Sequence, residues 1–126
     1  MNIVDSSGWL EYFADGPNAE FFAPPLQDSE RLIVPAISVY EVFKTVLRQR
    51  GESEALEAAA LMGQGQVMPL DAPIGLLAAR LSLDHSLPMA DAIMLATARL
   101  QEAILWTQDG DFEGLEGVRY RPKPTH

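Results

Sequence analysis

The chain contains no cysteine. That excludes a disulfide scaffold and any thiolate-ligated metal, and it fits a reducing compartment. Only two histidines are present, His85 and His126. They make no imidazole metal site: His85 reads as a charge at a helix C-terminus and His126 as a frayed last residue. Long apolar runs are missing as well. No stretch approaches the roughly 18 residues of a membrane span, and "MNIVDSSGWL" lacks the basic start and apolar core of a secretory signal. The expectation is a cytoplasmic protein with no membrane partner. Positive charge is scarce. Two Lys and seven Arg stand against 18 Asp and Glu, for a net charge of −9. Such a field opposes a polynucleotide backbone, which excludes a strongly basic nucleic-acid module. It leaves room for a concentrated acidic site that a divalent cation neutralises, or for a basic protein partner. "GQGQ" lacks the spacing and the Lys-Ser/Thr of a phosphate-binding loop, and there is no Ser-His-Asp order.

What is present is one domain's worth of chain, residues 1–126, with 48% apolar residues to fill a core. "NIV" (2–4) reads as a strand. Ser6 or Ser7 is expected to cap a helix through "GWLEYF", which Gly16-Pro17 ends. "AEFFAPPLQD" is a second helical piece that Pro24-Pro25 should interrupt. "RLIVP" (31–35) is a strand, and residues 36–50 form a helix with Val39, Phe43, Val46 and Leu47 on one side, closed by Gly51. Ser53 is expected to cap a helix over 53–62. A short strand at "QVMPL" follows, then an amphipathic helix over 72–85 with Pro73 at its start. Residues 88–103 form the most apolar helix, "AILWT" (103–107) a buried strand, and "VRY" (118–120) an edge strand. Met89 and Met94 read as core, and Trp9, Tyr12 and Phe13 as core or an interface. Strands alternating with helix pairs imply an α/β fold with a mainly parallel sheet covered on both faces.

In such sheets ligands sit at the carboxyl ends of the strands. Asp5 follows "NIV" directly and Asp109 lies two residues past "AILWT". Each also has an ordinary reading, Asp5 as a helix cap and Asp109 as turn chemistry in "QDGDF". Glu41 shares a helical stripe with Ser38, Thr45 and Arg48, expected to face solvent. Asp91 is the only charge between Leu87 and Ala96, so it needs either the helix N-terminus or a cation as partner. If the fold gathers the four, two carboxylates ~5 Å apart repel by roughly 3 kcal/mol at an effective dielectric near 20. An all-oxygen donor set of this kind suits Mg²⁺ or Mn²⁺ and serves phosphoryl chemistry.

The segments "VDSSGWLEYF", "VPAISVYEVFKTVLR", "LPMADAIMLATAR" and "LWTQDGDFEGLEGVRY" resemble, in order and spacing, the four landmark segments of the PIN domain. Within that superfamily the chain looks like the VapC-type toxin ribonucleases of toxin–antitoxin pairs, essentially end to end. The resemblance implies a three-layer α/β sandwich and an acidic quartet of Asp5, Glu41, Asp91 and Asp109 around Mg²⁺ or Mn²⁺. Asp5, Asp91 and Asp109 would be the ligands, and Glu41 would help position the attacking water. Ser7 and Thr107 would orient the carboxylates, and Asp111 would support the loop. It further implies an RNA substrate cut to leave a 5′-phosphate, a homodimer, and a neutralising antitoxin through which alone the toxin meets DNA. With cations so few, RNA contacts would come from Arg48, Arg50 and Arg99, whose alternative reading is as ordinary surface residues. Two rivals stay open. One is a PIN module acting mainly by binding its antitoxin. The other is a different phosphoryl-handling α/β domain, although Asp5 precedes two serines rather than a second acid and the Asp-x-Asp spacing occurs only at 109–111.

Overall fold

A computed structural model describes residues 1–124; His126 lies outside them. Strands β1 (Asn2–Val4), β2 (Ile33–Pro35), β3 (Gln66–Met68), β4 (Ile104–Thr107) and β5 (Val118–Tyr120) alternate with helices. The helices are α1 (Ser6–Phe13), α2 (Ala19–Gln27), α3 (Ala36–Arg50), α4 (Glu52–Met62), α5 (Ala72–His85) and α6 (Met89–Leu100). Strand β1 pairs in parallel with β4, β4 with β5, and β2 with β3. One parallel bridge, Asn2 to Leu32, joins the two groups. The order across the fold is therefore β3-β2-β1-β4-β5. Parallel neighbours need long crossovers, which helices supply except between β4 and β5, where a loop with a short 3-10 turn suffices.

Strands this short are held by what each face buries. Successive side chains point to opposite faces. Ile3, Ile33 and Leu105 enter one core with Ile74 and Leu81 of α5 and Ile93 and Leu95 of α6. Val4, Val34 and Trp106 enter the other with Trp9, Phe22, Val42, Val46 and Met62 of α1 to α4. The result is three layers, as expected from apolar runs without alternation.

Several local expectations give way. Helix α2 runs through Pro24 and Pro25 rather than stopping there. Proline already holds a helical φ, and burial of Phe22 and Pro25 offsets the backbone bonds lost. Ser53 does not cap α4; Gly51 closes α3 and opens α4 at φ 93°, ψ 179°, a conformation reserved for glycine, so the two helices abut and Ser53 falls inside the first turn. Ser38 is fully buried instead of solvated, its Oγ donating to Met94 Sδ at 3.6 Å, because α6 packs across the start of α3. Met89, the first residue of α6, is 72% exposed and only Met94 is core. Helix α6 stops at Leu100, where Glu102 adopts φ 54° and turns the chain into β4. Among the described residues no helix is long and apolar enough to cross a membrane.

Candidate active site

Strand β1 sits where the order reverses, with β2 reached on one side and β4 on the other. That is the place at which a doubly wound sheet opens a crevice beyond the strand ends. Asp5 stands there, extended at φ −69°, ψ 169°, and turns the chain into α1. Its Oδ1 accepts the Gly8 N–H at 2.8 Å. Asp5, not Ser6 or Ser7, is thus the helix cap, favoured because a carboxylate also matches the positive helix end. Ser7 Oγ donates to the same carboxylate at 2.9 Å, and Thr107 Oγ1 donates to Oδ2 at 2.6 Å. Thr107 Oγ1 in turn accepts the Asp109 N–H at 2.9 Å. One hydroxyl therefore ties the end of β4 to the end of β1. Asp5 is 2% exposed. Burial pushes its carboxyl up to about 6, with Asp109 adding repulsion, although hydrogen bonds from Thr107, Gly8 and Ser7 pull the other way.

Asp109 opens a short 3-10 turn, Gly110–Phe112, its Oδ1 accepting the Asp111 N–H at 2.9 Å. Asp91 lies half-buried in the first turn of α6. Asp91, Asp109 and Asp111 each offer a carboxylate oxygen, and these lie within 4.8 Å of one another. Asp91 is pushed up to about 7, first by burial, then by the charges of Asp109, Asp5 and Asp111. Ion pairs among the described residues are Arg31–Asp28 and Arg50–Glu54, both on the surface. Among the described residues no cationic side chain is paired with the cluster. A hard, oxygen-only donor set carrying uncompensated charge fits a divalent cation of the Mg²⁺ or Mn²⁺ kind.

Glu41 is half-buried on α3, and its Oε1 accepts from Ser6 Oγ at 2.6 Å. Ser6 and Glu41 therefore stand beside the Asp5 cap, outside the three-carboxylate group. Gln108, between Thr107 and Asp109, is buried; its Oε1 accepts from Asn18 Nδ2 at 3.0 Å, and the same amide reaches the Pro122 carbonyl at 3.1 Å.

A profile of the PIN domain matches residues 3–118. The chain belongs to the PIN-domain family. Solved structures agree in fold. A toxin–antitoxin complex from Klebsiella pneumoniae superimposes with a TM-score of 0.79 at 22% identity, over 94% of this chain and 96% of that one. VapC20 of Mycobacterium tuberculosis, described as a sarcin–ricin loop cleaving toxin, gives 0.78 at 21%, over 97% and 100%. VapBC2 from Rickettsia felis, bound to a fragment of its promoter DNA, gives 0.73 at 9%, over 96% and 97%. A search of curated proteins returns no match.

Within this PIN domain Asp5, Asp91, Asp109 and Asp111 act on one another electrostatically, and Ser7 and Thr107 hold Asp5. Asp111 both supports the loop through its N–H and brings its carboxylate into the group. The three arginines expected to meet RNA do not converge. Arg50 is engaged by Glu54 at 3.3 Å. Arg99 lies in the last turn of α6, beside the amino ends of the strands and so at the edge opposite Asp109. Sequence reading missed Ser6, for which the tandem "DSS" was the only signal, and missed Asn18 and Gln108, which carried none.

Proposed function

We propose that this PIN domain is a metal-dependent endoribonuclease and the toxin of a toxin–antitoxin pair. The observation that carries the reading is the meeting of Asp91, Asp109 and Asp111 within 4.8 Å, with Asp5 beside them and no cation paired to them among the described residues. Asp5, Asp91 and Asp109 would hold Mg²⁺ or Mn²⁺, with Asp111 at the rim of the same group. When bound, the ion supplies positive charge for the phosphate oxygens and the departing 3′-oxygen. The chain supplies the rest. Ser6 occupies Glu41 Oε1, which leaves Oε2 to orient the attacking water and take its proton. Thr107 and Ser7 fix the Asp5 carboxylate, and the Thr107–Asp109 hydrogen bond sets the loop against it. A 5′-phosphate product follows if the 3′-oxygen leaves.

An RNA substrate is supported by the likeness to a sarcin–ricin loop cleaving toxin. An antitoxin partner, with DNA met only through it, is supported by the likeness to a complex bound to promoter DNA. A cavity of about 750 Å³ beside Ser7 mixes apolar Leu10, Phe13 and Leu61 with three acids, Glu11, Glu54 and Glu57, against two cations, Arg50 and Lys123, a lining that can seat an amphipathic antitoxin segment. A homodimer in the cytoplasm completes the proposal. Purified protein should cleave RNA with Mg²⁺ and stop on adding EDTA. Asp5→Asn and Asp91→Asn should each lose about 100-fold or more, equivalent to roughly 3 kcal/mol of transition-state stabilisation, while remaining folded. Cleavage by either variant at near parental rate contradicts these roles.

A further inference from the structure

Three of the nine basic residues fall within five positions, Arg119, Arg121 and Lys123. All three are exposed, and none is in an ion pair among the described residues. In a chain with twice as many acids as bases, leaving three neighbouring cations unpaired is notable chemistry. Their place in the fold makes it more so. Arg119 sits opposite Trp106 in the β4–β5 ladder, and its guanidinium lies 4.8 Å from the Trp106 ring. Arg121 lies 4.8 Å from the Phe21 ring, itself 5.2 Å from Trp106. Stacking orders each guanidinium while leaving its N–H edges free for an anion.

The chain past β5 is fastened to the acidic site. Arg121 N–H donates to the Thr107 carbonyl at 3.0 Å, and buried Asn18 donates to both Gln108 and the Pro122 carbonyl. Lys123 lines the same cavity as Ser7 and Gln108. Two arginines and a lysine thus lead along the strand edge to the residues that flank Asp109, held in place before any ligand arrives.

We propose that Arg119, Arg121 and Lys123 form a phosphate track for single-stranded RNA, delivering the backbone to the carboxylates. This rests on the ribonuclease reading above and replaces Arg48, Arg50 and Arg99 as the RNA contacts. Evenly spaced cations, two of them ordered on aromatic rings, suit a flexible strand, whose backbone they grip without reading its bases.

The test measures binding without cleavage. A fluorescein-labelled single-stranded oligouridylate is titrated, in EDTA, with protein carrying Asp91→Asn and otherwise the parental sequence. Each phosphate contact on a single strand contributes about 0.7 to the slope of log affinity against log salt, worth roughly eightfold at ~50 mM salt against a ~1 M reference. Lys123→Gln should weaken binding by about that factor, and Arg121→Gln with Lys123→Gln should lower the slope by about 1.4. Arg121→Lys should keep the slope, and Arg99→Gln should change nothing. Among the described residues Lys123 stacks on no aromatic ring, so its substitution stays decisive if loss of the Arg121 stack unsettles the fold. An unchanged slope in the double variant, or an Arg99→Gln effect of equal size, overturns the track, as does failure of the starting protein to bind. Intact, track-dependent binding with no hydrolysis by the parental protein would instead remove the nuclease reading and leave the track standing.

Discussion

Asp91 and Asp5 carry carboxyls held at about 7 and about 6, well above the ordinary 3.8, because burial and neighbouring acids oppose the charged form. For a group raised in the folded state, the stabilisation is full below the unfolded value and is lost as pH rises through the folded one. For Asp5 the loss amounts to about 3 kcal/mol by neutrality; half-exposed Asp91 adds an amount that solvent screens. Metal-free protein should therefore lose thermal stability between about pH 4 and pH 7 and level off above that. Asp91→Asn should flatten that fall, so that in EDTA the variant melts above the parent at the alkaline end and no longer does so at the acid end. A parent and variant with parallel pH profiles would contradict the assigned repulsion. Thr107→Val should cost about 1–3 kcal/mol in denaturant unfolding, since it leaves Asp5 Oδ2 with Ser7 alone and the Asp109 N–H without Thr107 Oγ1, and Thr107→Ser should recover most of it. Residues whose placement follows from position next to a strand, Asp5 and Asp109, were legible as to where they stand. Ser6 was not, because its partner Glu41 is 35 positions away, nor was Asn18, whose partner Gln108 is 90 away; no local pattern encodes such pairs.

The elements themselves were read well where burial sets a period, and less well where backbone chemistry competes with packing. Apolar strands and the α3 stripe of Val39, Phe43 and Val46 needed only the two periods, whereas Leu47, expected on the same side, is 44% exposed. The prolines of α2 and the cap of α4 went the other way because tertiary burial and the abutment of α3 on α4 outweighed local preference. Glycines separate these effects cleanly. A Cβ on Gly8 would stand 2.6 Å from Val4 Cγ1 and 2.7 Å from the Phe22 ring. Gly8→Ala should then destabilise by about 1–3 kcal/mol despite its gain in helix propensity, because α1, β1 and α2 are wedged apart. Gly75 on α5 meets nothing within 4 Å, so Gly75→Ala should stabilise by about 0.5–1 kcal/mol. Thermal melts of the two variants check both signs at once.

At the scale of the molecule, a net charge of −9 would disperse over the surface if repulsion alone decided. Instead the strand order β3-β2-β1-β4-β5 brings the ends of β1 and β4 and the start of α6 to one crevice, and carboxylates 20 residues apart along the chain meet there. That convergence depends on which strands become neighbours, so it was reachable only through likeness to a known family and not from any single segment. The sheet supplies the rigidity that keeps like charges together, and the unpaired charge is what a hard dication satisfies. Mn²⁺ binding followed by electron paramagnetic resonance near neutral pH measures this directly. We expect the parent protein to take up Mn²⁺ at a site that Asp91→Asn weakens by at least about tenfold, each such factor being roughly 1.4 kcal/mol. Equal Mn²⁺ uptake by the parent and by Asp91→Asn would contradict the existence of the site.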